Sequence, residues 1–211
     1  MSNHYENNKS NHQLSPLVQQ ALERYQTILS RDEFTQMKAF LIKPIIPSMR
    51  VNLLKQDPKE FTGSLKRHYQ WKMPPVPFCS SGFWVKSPTE EISTTIEHRM
   101  GFYYIQDAAS MLPVELFDFI KKTKPLILDM AASPGGKTNH LADKIGDRGL
   151  IIANDASRSR IQALRVVLQN WGVMNAAITC QNGSYFGEQY PESFDYVLLD
   201  APCSMENLRN T

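Results

Sequence analysis

The stretch Leu126-Ile-Leu-Asp-Met-Ala-Ala-Ser-Pro-Gly-Gly-Lys-Thr138 decides how the rest of the chain is read. A short apolar run ends in an acid, a loop of small residues follows, and Gly135-Gly136 opens a segment of helical spacing. Small side chains let backbone N–H groups approach a bound group closely, and the start of a helix adds partial positive charge. A ligand carrying a carboxylate or a phosphate suits such a loop.

Outward from it, apolar strands alternate with helices at the lengths a βαβ unit requires. Strands are expected at 126–129, 150–155, 176–180 and 194–200, and helices at 136–145 and 157–171, the latter stopped by Gly172. The fold class is α/β, with a parallel sheet and crossover helices. Asp129, Asp155 and Asp200 stand at the ends of three strands, and open α/β sheets bind ligands at the carboxyl ends of their strands.

Toward the N-terminus the texture differs. Residues 1–14 are polar and read as a disordered tail, residues 15–100 as a small α+β module, and residues 101–211 as the domain that holds the loop. Ser15-Pro16 opens a helix with Val18, Ala21, Leu22, Tyr25, Ile28 and Leu29 on one apolar stripe. A second helix starts near Asp32, a strand covers 49–54, Asp57-Pro58 opens a third helix, and a strand lies near 83–85. The net charge is only +2, yet residues 38–72 hold eight bases (Lys38, Lys43, Arg50, Lys55, Lys59, Lys66, Arg67, Lys72) against two acids. Tyr69 and Trp71 sit among them, so the stretch reads either as an RNA track, with bases for phosphates and aromatics for stacking, or as a plain solvated face.

The 211 residues, 42% hydrophobic, exclude collagen-like, coiled-coil and wholly disordered classes. No apolar run approaches the roughly 20 residues of a membrane span, and the N-terminus lacks the pattern of a secretory signal, so a cytoplasmic protein without membrane contact is expected. Three dispersed cysteines, Cys79, Cys180 and Cys203, suggest neither a disulfide framework nor a metal site.

Two ligands compete for the loop. Ala131-x-x-x-x-Gly136-Lys137-Thr138 differs from the phosphate-cradling loop of nucleotide triphosphatases only at its first position, and Val197-Leu-Leu-Asp200 has the look of a magnesium-binding strand end. Against this, alanine replaces the first glycine, Pro134 removes a backbone donor, and Asp129 and Asp155 add negative charge beside a polyphosphate. An acid ending the second strand, as Asp155 does, is placed to accept hydrogen bonds from ribose hydroxyls. With no G-x-G-x-x-G in the loop, an adenosine bearing a sulfonium and a carboxylate, S-adenosylmethionine, fits better.

Four ordered motifs then add a resemblance: residues 48–55 (Ser48-Met-Arg-Val-Asn-Leu-Leu-Lys55), 97–110 (Glu97-His-Arg-Met-Gly through Gln106-Asp107 to Ser110), 129–138, and Asp200-Ala-Pro-Cys-Ser204. In order and spacing the chain resembles the Sun-type (Nol/Nop/Sun) RNA cytosine-5 methyltransferases, and most of all their bacterial branch acting on small-subunit ribosomal RNA. The resemblance implies a Rossmann-like methyltransferase domain behind a small RNA-binding module. It implies a cofactor loop of Ala131, Ala132, Ser133, Pro134, Gly135, Gly136 and Lys137, with Asp155 on the ribose. Asn182 stands where the family usually has Asp at the adenine edge, an amide that both donates and accepts. Asp200 holds the target cytosine, and Gln106-Asp107, which reads first as a helix start capped by Asp107, becomes a wall of the active site.

Cytosine C5 is a poor nucleophile, so family chemistry adds a cysteine thiolate to C6 and lets the enamine-like C5 take a methyl group; loss of the C5 proton then expels the thiolate. A carboxylate at N3 stabilises the developing charge. Two cysteines divide the work in these enzymes. Cys203 corresponds to the thiol that assists release, while the attacking cysteine belongs to a later Thr-Cys-Ser motif that this sequence, which stops at Thr211, does not include. The expectation is therefore a C-terminally truncated methyltransferase with four of the family's seven strands, an open edge at the strand before Asp200, and impaired turnover. Two alternatives stand beside it: a non-catalytic RNA- or cofactor-binding remnant, and an enzyme in which Cys203 itself attacks, as the Pro-Cys cysteine does in DNA cytosine methyltransferases.

Overall fold

The computed structural model describes residues 22–41, 45–86, 88, 90–120, 122–146 and 148–201. Residues Ile46–Ala201 form one compact unit, and the described residues before them belong to a second. In that second unit, α1 (22–26) buries Leu22, whereas Ile28, expected on the same stripe, is 76% exposed because the helix has already ended. Helix α2 (Arg31–Leu41) starts on a reciprocal cap in which Glu33 N donates to Ser30 Oγ and Ser30 N to the Glu33 carboxylate. The expected polar tail, the expected helix start Ser15-Pro16 with Val18 and Ala21, and residues 42–44 lie outside the described residues.

The large unit opens with an antiparallel sheet. Strand β1 (Ser48–Val51) lies between β3 (Cys79–Trp84) and β4 (Tyr103–Ile105), with β2 (Pro75–Val76) outside β3. Helix α3 (Pro58–Tyr69), capped by Asp57 through Lys59 N and Glu60 N, lays Phe61 and Leu65 against Met49, Val51, Phe83 and Tyr103. The short α4 (Ile96–Arg99) precedes β4. Strand β1 is shorter than the sequence suggested because Asn52 ends it: its amide donates to Gly101 O and Trp171 O, and its Oδ1 accepts from Leu54 N. The sheet also takes its fourth strand from 103–105, beyond the boundary near residue 100 that composition suggested, and the compact unit spans both sheets.

Helix α5 (Ala108–Glu115), whose first turn is capped by Asp107, leads into the parallel sheet. There β5 (Leu126–Asp129), α6 (Gly136–Ile145), β6 (Leu150–Asn154), α7 (Arg158–Trp171), β7 (Ala176–Thr179), α8 (Ser184–Gln189) and β8 (Tyr196–Leu198) follow in turn. The strand order is β7-β6-β5-β8, all parallel. Leu141, Ala142 and Ile145 of α6 pack on Ile127 and Ile151, and Leu164 and Leu168 of α7 on Ala153, so both helices cover one face. Gly172, at φ 88°, ends α7 as expected. Strand β8 pairs with β5 alone among the described residues, leaving Val197 and Leu199 about half exposed. The sheet's other edge is β7, and Cys180, the last residue of the strand expected at 176–180, falls just past it and is partly exposed.

Candidate active site

The chain runs from β5 out to β6 and β7 and returns to β8 on the far side of β5, so the order reverses between β5 and β8. Such a switch point leaves a crevice at the carboxyl ends of the strands. The loop Met130–Gly135 lies in it, anchored at several backbone points. Met130 N donates to Leu198 O, Ala132 N to Asn154 O, and Ser133 N to Asp155 Oδ2, while Ser133 O accepts from Arg160. Gly135 has a φ of 115°, and a Cβ there would come within 2.9 Å of Val167 Cγ1. Only glycine fits this position, the start of α6.

The cleft is lined by Ala131, Ala132, Ser133, Pro134, Gly136, Lys137 and Asp200, with Tyr104, Gln106 and Ser110 as its opposite wall. The first group is most of the set drawn from the sequence. Tyr104 and Ser110 were not singled out, and their alternation on β4 and α5 carries no local signature of a ligand. Gln106 faces the cleft, whereas Asp107, also considered as wall, is exposed and serves as helix cap. Across the mouth Lys137 Nζ meets Asp200 Oδ2 at 2.6 Å, joining the start of α6 to the end of β8.

Gly135, Asp155 and Asn182 do not line this cleft. Asp155 is buried beside it, accepting from Ser133 N and Ser157 N and pairing with Arg160 at 3.3 Å. Asn182 is exposed beyond β7 and accepts from Ser184 N. The Asn154 amide donates to Met130 O and Gln181 O, which ties the ends of β5, β6 and β7 into one rim. The cleft holds about 190 Å³. Small-molecule sites usually begin near ~300 Å³, so a nucleoside-sized ligand would extend from it along this rim, toward Asp155 and Asn182. Cys203 lies outside the described residues.

Two observations bear on the fit of S-adenosylmethionine. Ser133 Oγ is buried at the cleft and has no hydrogen-bond partner among the described residues, although buried polar atoms are normally satisfied. The loop also keeps side-chain bulk away from the ligand space at Ala131, Ala132 and Gly136. Beneath it, burial pushes the Asp129 carboxyl up to about 6, against the hydrogen bond from Thr138 Oγ1 at 2.6 Å. This acid supports the loop from below and, being 1% exposed, does not reach the cleft.

The basic stretch is rearranged by folding. Arg50 is fully buried, Lys55 donates to Met100 O and Asn170 O, Lys43 lies outside the described residues, and Lys38 sits on α2 in the other unit. Trp71 is buried and stacks on the half-buried Tyr69 at 4.7 Å, while Tyr69 Oη donates to Glu97, so the Trp71 ring is not presented for base stacking. Lys59, Lys66, Arg67 and Lys72 remain exposed on and after α3.

A second buried cluster joins the two sheets. His140 Nε2 donates to Glu115 Oε1 at 3.0 Å, Lys144 to Glu115 Oε2 at 2.6 Å, and Cys79 Sγ lies 3.9 Å from His140 Nε2. Burial holds His140 down at about 3, so its ring is neutral; burial alone would raise Glu115, but His140 and Lys144 outweigh it and keep the carboxyl at about 2. Cys79 is fully buried, and burial raises its thiol.

Similarity to known proteins agrees with this architecture. Residues 17–108 match the family model described as the N-terminal domain of 16S rRNA methyltransferase RsmF, and residues 120–210 that of 16S rRNA methyltransferase RsmB/F. Ribosomal RNA small subunit methyltransferase F of Erwinia tasmaniensis is 43% identical over 192 residues, covering 89% of this chain and 40% of that protein. The protein of the same name from Enterobacter sp. is 42% identical over 170 residues, covering 79% of this chain and 35% of that protein. The chain thus spans well under half the length of these curated relatives. A methyltransferase homolog protein from Pyrococcus horikoshii superposes with a TM-score of 0.77 at 32% identity, over 90% of this chain and 64% of its own. NSun6 from the same organism, solved with SFG, shares the fold at a TM-score of 0.73 and 19% identity, over 86% and 70%. Among the described residues no helix is long and apolar enough to cross a membrane.

Proposed function

Since the chain belongs to the Sun-type RNA methyltransferase family, we propose that it binds S-adenosylmethionine at the carboxyl ends of β5 and β6 and serves methylation of cytosine C5 in small-subunit ribosomal RNA. The observation that carries this reading is the buried, unpartnered Ser133 Oγ in a small-residue loop at the switch point of a parallel sheet. When bound, S-adenosylmethionine supplies an electrophilic methyl group on a sulfonium.

The chain's own residues would divide the remaining work. The Ser133 hydroxyl and the first-turn N–H groups of α6 receive the polar end of the cofactor, and the start of that helix favours its carboxylate. Asp155 accepts from the ribose hydroxyls, and Asn182 meets the adenine edge. Asp200, tethered by Lys137, stands at the mouth of the cleft, where its carboxyl group would share a proton with cytosine N3, holding the base and offsetting the negative charge that develops on the ring. The Cys203 thiol follows three residues later in the chain. Tyr104, Gln106 and Ser110 wall the cleft on the side of the antiparallel sheet and limit water there. RNA would approach over α3, whose Lys59 and Lys66 lie seven residues apart on one side of the helix. Acting on ribosomal RNA, the protein would work in the cytoplasm.

The test is transfer of labelled methyl from S-adenosylmethionine to unmodified small-subunit ribosomal RNA by this chain, beside Cys203→Ser. Transfer that depends on Cys203 assigns the attack on cytosine to that thiol. Saturable cofactor binding with no transfer favours the binding remnant, and absence of both overturns the reading.

A further inference from the structure

The antiparallel sheet sends one charged side chain into the cofactor-loop domain. Arg50, in the middle of β1, is fully buried. Its guanidinium donates through Nε to Gln106 Oε1 at 3.3 Å, through one terminal nitrogen to Asp143 Oδ2, and through the other to Asn139 Oδ1 and to Gly136 O at 3.2 Å. It also lies over the Trp171 ring at 4.9 Å, and Trp171 Nε1 donates to Asp143 Oδ1 at 2.9 Å. Three of the four acceptors therefore belong to α6, one being the carbonyl of its first residue, and the fourth is Gln106 on the opposite wall of the cleft.

Stability alone is a weak reason for this arrangement. A buried ion pair is commonly no more stabilising than apolar residues of the same volume, because both charges lose their hydration. What an arginine offers that an apolar residue or a lysine does not is a rigid fork of five donors, which fixes the relative position of everything it binds. Here it binds Gly136 and Gln106, both of which line the cleft. A loop held by backbone bonds at Met130, Ala132 and Ser133 has its other end, at the start of α6, held from the other sheet.

We infer that Arg50 is a positioning residue: by bridging Gly136, Asn139 and Asp143 to Gln106 it sets the shape of the cofactor loop and the width of the cleft, so that the antiparallel sheet governs cofactor affinity. The inference rests on the reading that S-adenosylmethionine occupies this cleft.

Two variants separate positioning from mere support. Arg50→Met/Asp143→Asn removes both charges while leaving Trp171 Nε1 an acceptor, and Arg50→Lys keeps the charge without the fork. Each is measured by thermal unfolding, by calorimetric titration with S-adenosylmethionine, and by amide hydrogen exchange over residues 131–139 without ligand. The double variant is expected to unfold near the wild-type temperature, to exchange faster in the loop, and to bind S-adenosylmethionine roughly 10- to 100-fold more weakly, the penalty of a slightly misplaced site. Should the double variant fail to fold, Arg50→Lys is read by the same exchange and binding measurements. Wild-type exchange over 131–139 in a folded variant overturns the inference, as does wild-type affinity. If the unaltered chain binds no S-adenosylmethionine, the cofactor reading fails, and the exchange data still decide whether Arg50 positions the loop.

Discussion

The parallel sheet β7-β6-β5-β8 and the antiparallel sheet β2-β3-β1-β4 have four strands each, and they serve the cleft in opposite ways. The parallel sheet works through its ends. Its strands deliver Asp129, Asp155 and Asp200 close to one rim, and the loop that lines the cleft grows from the backbone of β5. The antiparallel sheet works through its sides. Arg50 and Tyr104, on β1 and β4, project from mid-strand toward α6, and Gln106, just past β4, lines the cleft beside them. A site at strand ends is written locally, in a short motif, whereas a site on a strand's flank exists only once another element packs against it.

The sharpest way to break this comparison is on the parallel side. Gly135→Val places a branched side chain at a φ of 115° and against Val167, so S-adenosylmethionine affinity should fall by more than about 100-fold in a calorimetric titration. Unchanged affinity would mean that the loop is not the cofactor cradle. On the antiparallel side, Arg50→Met alone leaves Asp143 buried and unpaired, which should lower unfolding stability in urea by about 3–5 kcal/mol. A loss under ~1 kcal/mol would show that the two sheets are held together by other contacts.

The seam between the sheets has its own acid response. Because the folded value of His140, about 3, is below its ordinary 6.5, the unfolded chain binds a proton that the folded chain refuses. Stability from this group is full above pH 6.5 and is lost as pH falls toward 3, by about 2 kcal/mol at pH 5. Glu115, depressed to about 2, adds a further loss below 4.5; Asp129 and Asp143, both raised to about 6, act in the opposite sense between about 3.8 and 6. The test is therefore a difference: the stability of wild type relative to His140→Gln should shrink steadily from pH 7 to pH 5. A constant difference would show that His140 is not held neutral. The smallest effect is expected at the surface, where Lys66→Ala/Arg67→Ala should reduce the salt dependence of RNA binding by about two in log–log slope, with cofactor affinity unchanged.

These two sheets also explain what the sequence could tell. The ends of β5 and α6 were legible to the residue, because the loop's glycines, the acid and the helical spacing all act within a dozen positions. The strand order was not, since the placement of β8 beside β5 depends on which edge it pairs with. Arg50 read as part of a basic stretch, either an RNA track or a solvated face, because composition does not reveal that Asp143, 93 residues later, faces it in the interior. Trp71 was open to a stacking role on the RNA-track alternative for the same reason, though α3 and the sheet enclose it. Trp171 packs at the end of α7, and its indole N–H also holds Asp143 for Arg50, a role with no local signal.

The central claim, that the ends of the parallel sheet cradle S-adenosylmethionine rather than a nucleoside triphosphate, is tested most directly by equilibrium dialysis of this chain with each ligand. The account predicts saturable binding of S-adenosylmethionine that Gly135→Val abolishes, and no saturable binding of magnesium-ATP. Saturable magnesium-ATP binding lost in Lys137→Ala, with none of S-adenosylmethionine, would contradict it.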